Sequence, residues 1–386
     1  MISKEKKLKI ISLSDIHLLH RLVPTAHIVQ NLRRVTPDDE SMRDVDIIFI
    51  PGDVFDRSVP LHNPEIPLVI EWITYLFYIC DKYDIMLRVL EGTPGHDWKQ
   101  SQLFVDIHTS LESKVDFRYV QVLEIENIAK FNINVLYIPD EWRTRCCDTW
   151  NDVLICMQRH NLTQVDIVIM HGAFPHQLPQ LWDGAIEMHN PDNFLNITKY
   201  IIFIGHIHKY SCYKKILSHG SLDRLAHGEE GPKGWVVATI YNDDTWDHRF
   251  IENTNAYFFR NIDLSNKNMD ECDEAIKSLL IELGNKHGYI CVQAEMTDIA
   301  TALFSKWKGQ NPHVTWQFKP KTAAKESQII DPLRDKLDFQ NLPKLSRANI
   351  RELLLEKISR MIDPDAPDYN EQLENYAKEL DEVINE

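Results

Sequence analysis

Five short apolar runs, each stopping at a charged or glycine-containing turn, constrain the fold of this chain more than any other feature. They span residues 8–13 before Ser14-Asp15, 45–50 before Pro51-Gly52-Asp53, 85–90 before Glu91-Gly92, 165–170 before His171-Gly172, and 200–204 before Gly205-His206. Runs this short and continuous suit strands buried on both faces. Helical stretches between them, such as 66–80 and 150–160, give the βαβ alternation of a sheet covered by helices, and so predict an α/β fold. The polar residues gather at the strand ends, where α/β folds place their sites.

A chain of 386 residues is long enough for two or three domains. After Asp243-Asp244 the pattern changes: residues 255–264 and 289–295 are strand-like, 271–283 helical, and 299–307 a second helix. This predicts a small α/β domain over 256–318, following a main domain over 1–255. A polar stretch with Pro320 and Pro332 reads as a linker over 319–345. Beyond it, Ser346 can cap a helix bearing Ile350, Leu353, Leu354, Ile358 and Met361. A second helix over the last residues places Tyr369, Leu373, Tyr376, Leu380 and Val383 on one narrow stripe, which needs a facing helix.

Lys and Arg total 42 against 58 Asp and Glu, a formal charge of −16 that at first argues against a nucleic-acid partner. The excess is concentrated, however: residues 363–386 hold nine acids and only Lys378. The seven cysteines contain no C-x-x-C pair, so neither a disulfide framework nor a zinc ribbon is expected, and a reducing cytoplasm fits. No signal-peptide pattern opens the chain, and the longest apolar stretch, 66–80, is interrupted by Glu71 and too short for a bilayer. The expectation is a soluble cytoplasmic protein without membrane contact.

Metal-ligand side chains occupy five strand ends: Asp15-Ile16-His17, Gly52-Asp53-Val-Phe-Asp56, Gly95-His96-Asp97, His171, and Gly205-His206-Ile207-His208. Mixed carboxylate and imidazole donors suit manganese, iron or zinc better than calcium or magnesium. Residues two apart at a strand end can point to one side, so Asp15 with His17, and His206 with His208, can converge. Asp56 and Asp97 read as turn residues that orient ligands rather than as ligands. The remaining histidines, including His20, His27, His189 and His248, read as surface or structural, and Cys146-Cys147 as packing.

In this order the motifs resemble the calcineurin-like metallophosphoesterase superfamily, with its D-x-H, G-D-x-x-D, G-N-H-D, single His and G-H-x-H signature, over roughly residues 8–240. The resemblance implies a four-layer αββα sandwich with a two-metal centre. Asp15, His17 and His208 would hold one ion, His171 and His206 the other, and Asp53 would bridge them. His96 would assist the leaving oxygen or steady the phosphate, with Asp97 orienting it. One position departs from the signature: Gly95 stands where the family has Asn, which removes a side-chain oxygen that only water, substrate or Thr93 could replace.

Within the superfamily the chain is most similar to SbcD-type DNA-repair nucleases and their phage relatives. Pro51-Gly-Asp-Val-Phe-Asp56 and the stretch from His219-Gly-Ser-Leu-Asp-Arg224 through Gly228-Glu229 to Lys233-Gly234 carry that likeness. It implies a manganese-dependent exonuclease and endonuclease acting in DNA repair and recombination, with a capping domain over 256–318. It also implies a segment over 346–386 that docks on a coiled-coil ATPase of the SbcC type; a homodimer is the expected assembly. Two divalent ions about 3.5–4 Å apart can generate hydroxide near neutral pH for attack on a phosphodiester. Arg57, Lys99, Lys209, Lys214, Lys215, Arg224 and Lys233 are candidate DNA contacts, whose binding should weaken with salt. Two alternatives remain: a hydrolase of phosphoproteins, nucleotides or small phosphate esters, and a scaffold that lost turnover through Gly95.

Overall fold

The computed structural model describes residues 4–178, 187–294, 305–320 and 377–378. The chain divides into two compact units, Met1–Lys321 and Thr322–Glu386. The described fold belongs to the first. The expected ATPase-docking helices over 346–386 lie outside the described residues, apart from Ala377 and Lys378, and so does the expected linker beyond Pro320.

Two six-stranded sheets form the body. The first has the spatial order Trp246–Glu252, Gly234–Tyr241, Lys6–Ser12, Ile47–Pro51, Met86–Leu90 and Phe117–Val120. Its last four strands are mutually parallel. The second runs Glu124–Ile128, Ile133–Ile138, Val165–His171, Thr198–Gly205, Ile216–Ser218 and Ser211–Tyr213, with its four central strands parallel.

Alternation along each strand explains the layering. Ile10, Ile47 and Phe49 share one core with Val135, Tyr137, Ile169 and Phe203 of the second sheet, so the two sheets face each other across a common apolar layer. Ile11, Ile48 and Ile50 point the other way, onto the helices Thr25–Val35, Ile66–Tyr83 and Gln102–Ser110. Leu136, Ile138, Val168 and Met170 likewise meet the helices Cys146–Arg159 and Pro191–Ile197. Each sheet is thus covered on both faces, which is why its strands read as unbroken apolar runs.

The helix expected over 66–80 runs as Ile66–Tyr83 and ends at Asp84, whose φ of 54° closes it in a left-handed cap. Glu71, which breaks its apolar stretch, faces outward to Arg33 at 2.7 Å. No helix among the described residues is long and apolar enough to cross a membrane.

A third sheet, Phe258–Asp263, Gly288–Ala294 and Val314–Pro320, is wholly parallel. One face is covered by the helix Met269–Leu283 around Ile290, Val292 and Trp316. The other sends Tyr257, Phe259, Tyr289 and Cys291 into the core of the first sheet's helical layer. The strand through Pro320 overlaps the start expected for the linker, because Lys319 and Pro320 still pair with Gln293 and Ala294.

Candidate metal centre

Parallel strands from both sheets end on one edge, and there Asp15, His17, Asp53, His171, His206 and His208 meet. Ligand atoms of Asp15, His17 and His208 lie within 4.8 Å of one another, and so do those of Asp53, His171 and His206. Asp53 Oδ2 connects the clusters, 3.2 Å from His171 Nε2 and 3.8 Å from His17 Nε2. The clustered side chains can hold a metal ion.

The backbone is bent to achieve this. Asp15, His17 and Asp53 have φ of 51°, 51° and 49°, and His206 has φ of 93°. Non-glycine residues rarely enter this region, and such strain persists only where the surroundings over-determine it. Here they do: the amides of Ile16 and His17 both donate to the Asp53 carbonyl, at 2.8 and 3.1 Å, and His206 N donates to Asp15 Oδ1 at 2.9 Å. Glycine is required twice around His171. A Cβ on Gly52 would stand 2.5 Å from His171 Nδ1, and one on Gly205 2.6 Å from the same nitrogen. With both absent, the imidazole slots between the sheets and donates from Nδ1 to the Pro51 carbonyl at 2.6 Å.

The ring tautomers test whether a cation fits. With Nδ1 of His171 donating to a carbonyl, Nε2 is the ring nitrogen left to face Asp53. His208 turns Nδ1 to Glu229 Oε1 at 2.9 Å, and His17 turns Nδ1 to Asp56 Oδ1 at 3.4 Å. Their Nε2 atoms face each other at 3.1 Å. That contact is repulsive unless a proton or a metal ion lies between them, and neutral imidazole with carboxylate is the donor set of a first-row divalent ion.

The carboxylates act on the imidazoles as they would on a cation. Burial opposes the charge on Asp53, but His171, His17 and the Thr93 amide outweigh it and hold the carboxyl well below the usual range. His171 is raised in turn, Asp53 overriding complete burial. His206 is lowered by burial and by the neighbouring His171, while Glu229 raises His208 against burial.

His96 lies beside the first cluster, its ring centre 4.8 Å from that of His17. Its Nδ1 meets the Asp56 carbonyl at 2.7 Å. The expected orienting role of Asp97 is therefore incorrect. The Asp97 carboxyl is fully buried and accepts from the amides of Phe55 and Gly92, both at 2.9 Å. It staples two site loops together, and burial with the charge of Asp53 pushes its pKa up to about 8.

Two of the candidate DNA contacts are also corrected. Lys233 is buried and donates to the His208 carbonyl, Ser221 Oγ and Glu229 Oε2, at 2.7, 2.8 and 2.8 Å. Arg224 is half-buried and directed to the carbonyls of Ala256 and Tyr257, tying the site loop to the third sheet. Each spends its donors inside the protein. Lys99 and Lys209 are exposed, Lys209 in a cleft with His208 and Glu229, and Arg57 is half-buried.

Sequence reasoning assigned no role to Asp140, and it noted Glu229 only as part of a family stretch. Asp140 follows the strand Ile133–Ile138, and its Oδ2 lies 3.6 Å from His206 Nδ1 and 3.0 Å from Thr93 Oγ1. The signal was present, an acid just past an apolar run and Pro139, as with Asp53 after Pro51. Nothing in the sequence marks Glu229 as the partner of His208, since the loop that returns it has no periodicity.

No protein-family profile matches the chain, and no curated protein does. Among solved structures it is similar to TT1561 of Thermus thermophilus, with 8% identity, a TM-score of 0.36, and coverage of 63% of this chain and 98% of that one. It is also similar to the glutamine-dependent NAD+ synthetase from Acinetobacter baumannii in complex with ADP, with 12% identity, a TM-score of 0.29, and coverage of 92% and 73%. Likenesses this low establish no shared architecture.

Proposed function

We propose that this chain is a two-metal phosphodiesterase of the metallophosphoesterase type and, more finely, the DNA-cleaving subunit of an SbcC/SbcD-like repair complex. The observation that carries the first part is Asp53 Oδ2, set between His171 Nε2 of one cluster and His17 Nε2 of the other. Asp15, His17 and His208 would hold one ion, His171 and His206 a second, and Asp53 both. Such a pair supplies activated water and neutralises charge on a phosphate undergoing in-line displacement.

The chain's own residues do the rest. The Asp56 carbonyl fixes the His96 ring through Nδ1, leaving Nε2 to carry a proton to the departing oxygen. Glu229 holds His208 with Nε2 directed inward, and Asp56 Oδ1 lies 3.4 Å behind His17 Nδ1. The finer reading is supported by the third sheet, which follows the two-sheet body in the chain order that the resemblance implies for a capping domain. An SbcC-like ATPase bound through 346–386, a homodimer and manganese belong to the same proposal.

One observation favours a second reading, a hydrolase of small phosphate esters. A cavity of about 440 Å³ beside the second cluster is lined by Asp140, Trp142, Arg143, His189 and His206, and it falls within the about 300–1,000 Å³ of small-ligand sites. Assaying the purified chain with manganese on linear duplex DNA and on p-nitrophenyl phosphate esters separates the two. Degradation of duplex with little ester turnover supports the nuclease; the reverse pattern assigns the small-ester hydrolase, and turnover of neither overturns both.

A further inference from the structure

The second cluster has one more acid beside it than the ligand assignment uses. Asp140 is largely buried, with its side chain 9% exposed, and His206 is its ion-pairing neighbour at 3.6 Å. Among the described residues no Lys or Arg lies within ion-pair distance of it. A carboxylate in that position ordinarily requires a cation or a set of donors.

Its one short contact is with Thr93, and the surroundings of Thr93 show where a cation belongs. Thr93 Oγ1 lies 3.0 Å from Asp140 Oδ2, 3.2 Å from Asp53 Oδ2, 3.4 Å from His171 Nε2 and 3.4 Å from His206 Nδ1. One hydroxyl carries one proton and can serve only one of these four neighbours. The four neighbours converge on one small volume and include two carboxylates, more acceptor capacity than that one proton can serve. Gly95, by contrast, has no side chain to offer, and an added Cβ there would meet nothing within 4 Å.

We infer that Asp140 is the fourth protein ligand of the second ion, alongside Asp53, His171 and His206, with Thr93 Oγ1 within reach of the same ion. The inference rests on the two-metal reading and names the donor set of one of its sites. Two carboxylates with two imidazoles make this site anionic and oxygen-rich, so it favours manganese over softer-ligand ions more than a neutral amide donor would. The oxygen that Gly95 cannot supply thus comes from the end of a different strand, on the other sheet.

Calorimetric titration of the full-length protein with manganese, with electron paramagnetic resonance to read coupling between ions, tests this. The unmodified protein should bind two coupled ions. Asp140→Ala should keep the first and weaken the second about 100-fold, and Asp140→Asn should weaken it about tenfold. Should Asp140→Ala fail to fold, anomalous diffraction from manganese-soaked crystals of the unmodified protein decides, with an ion about 2.2 Å from an Asp140 oxygen expected. Two ions bound with unchanged affinity in Asp140→Ala, or an ion remote from Asp140 in the crystal, overturns the inference and leaves the two-metal reading standing. An unmodified protein that binds fewer than two ions overturns both.

Discussion

Two buried polar clusters sit at different depths in this molecule, and they solve the problem of buried charge in opposite ways. Between the sheets, Arg88 is 2% exposed and gives every guanidinium nitrogen an acceptor. Nε and Nη2 go to Glu126 at 2.9 and 2.8 Å, Nη2 also to Asp116 Oδ1 at 2.9 Å, and Nη1 to the carbonyls of Leu87 and Asp116 at 3.1 and 2.7 Å. Tyr137 completes Glu126 at 2.7 Å. At the strand-end edge acceptors outnumber donors: the facing His17 and His208 nitrogens, 3.1 Å apart, have room for one proton between them, and Asp53 and Asp140 share a single hydroxyl. A buried cluster whose donors match its acceptors is complete as a structural clamp. One with surplus acceptors and bent backbone is complete only when a cation joins it.

The largest test of that contrast is Asp53→Asn. Removing the shared carboxylate should lower phosphodiesterase activity by about 10³-fold or more, worth several kcal/mol at the transition state. Steady-state rates in saturating manganese check this, and retained activity would break the assignment. Next, Arg88→Met should destabilise the protein by roughly 1–3 kcal/mol in urea unfolding, because Glu126 loses its buried partner and keeps only Tyr137 and Arg118. Its manganese stoichiometry should stay unchanged, and a loss of metal binding would show that the two clusters are not separate.

Manganese itself comes third. At about 100 times its dissociation constant it should stabilise the unmodified protein by about 2.7 kcal/mol, and Asp53→Asn by much less, measured by thermal unfolding with and without chelator. Glu229→Gln should weaken the first ion about 10–100-fold, since it holds the His208 ring from behind.

The smallest effect is on acid stability without metal. Burial disfavours the Glu229 carboxylate, but His208 and Lys233 outweigh it and bring its pKa from 4.5 to about 2. An acid depressed in the folded state contributes stability that is complete above its unfolded pKa and lost as pH falls through its folded one. The unmodified protein should therefore lose more stability than Glu229→Gln between about pH 4.5 and 2; parallel acid limbs would remove this interaction from the account.

Strand ends, and the donor types that stand at them, are legible in the chain itself because both are local: a continuous run of Ile, Val and Phe buries on two faces, and Gly52 or Gly205 stops it. The helix at Ile66–Tyr83 is legible for the same reason, within a turn at its end. Which strand ends meet is a matter of packing, since it depends on two sheets lying face to face rather than on spacing within either. Thr93 and Asp140 are 47 residues apart and touch only across that junction, and His208 finds Glu229 only when a loop folds back over it. The burial of Lys233 and Arg224, and the turning of Asp97 away from His96, arise from the same packing. A charge's neighbours in the chain do not reveal its neighbours in space, and in a buried site those neighbours set whether it binds, positions or merely holds the loops together.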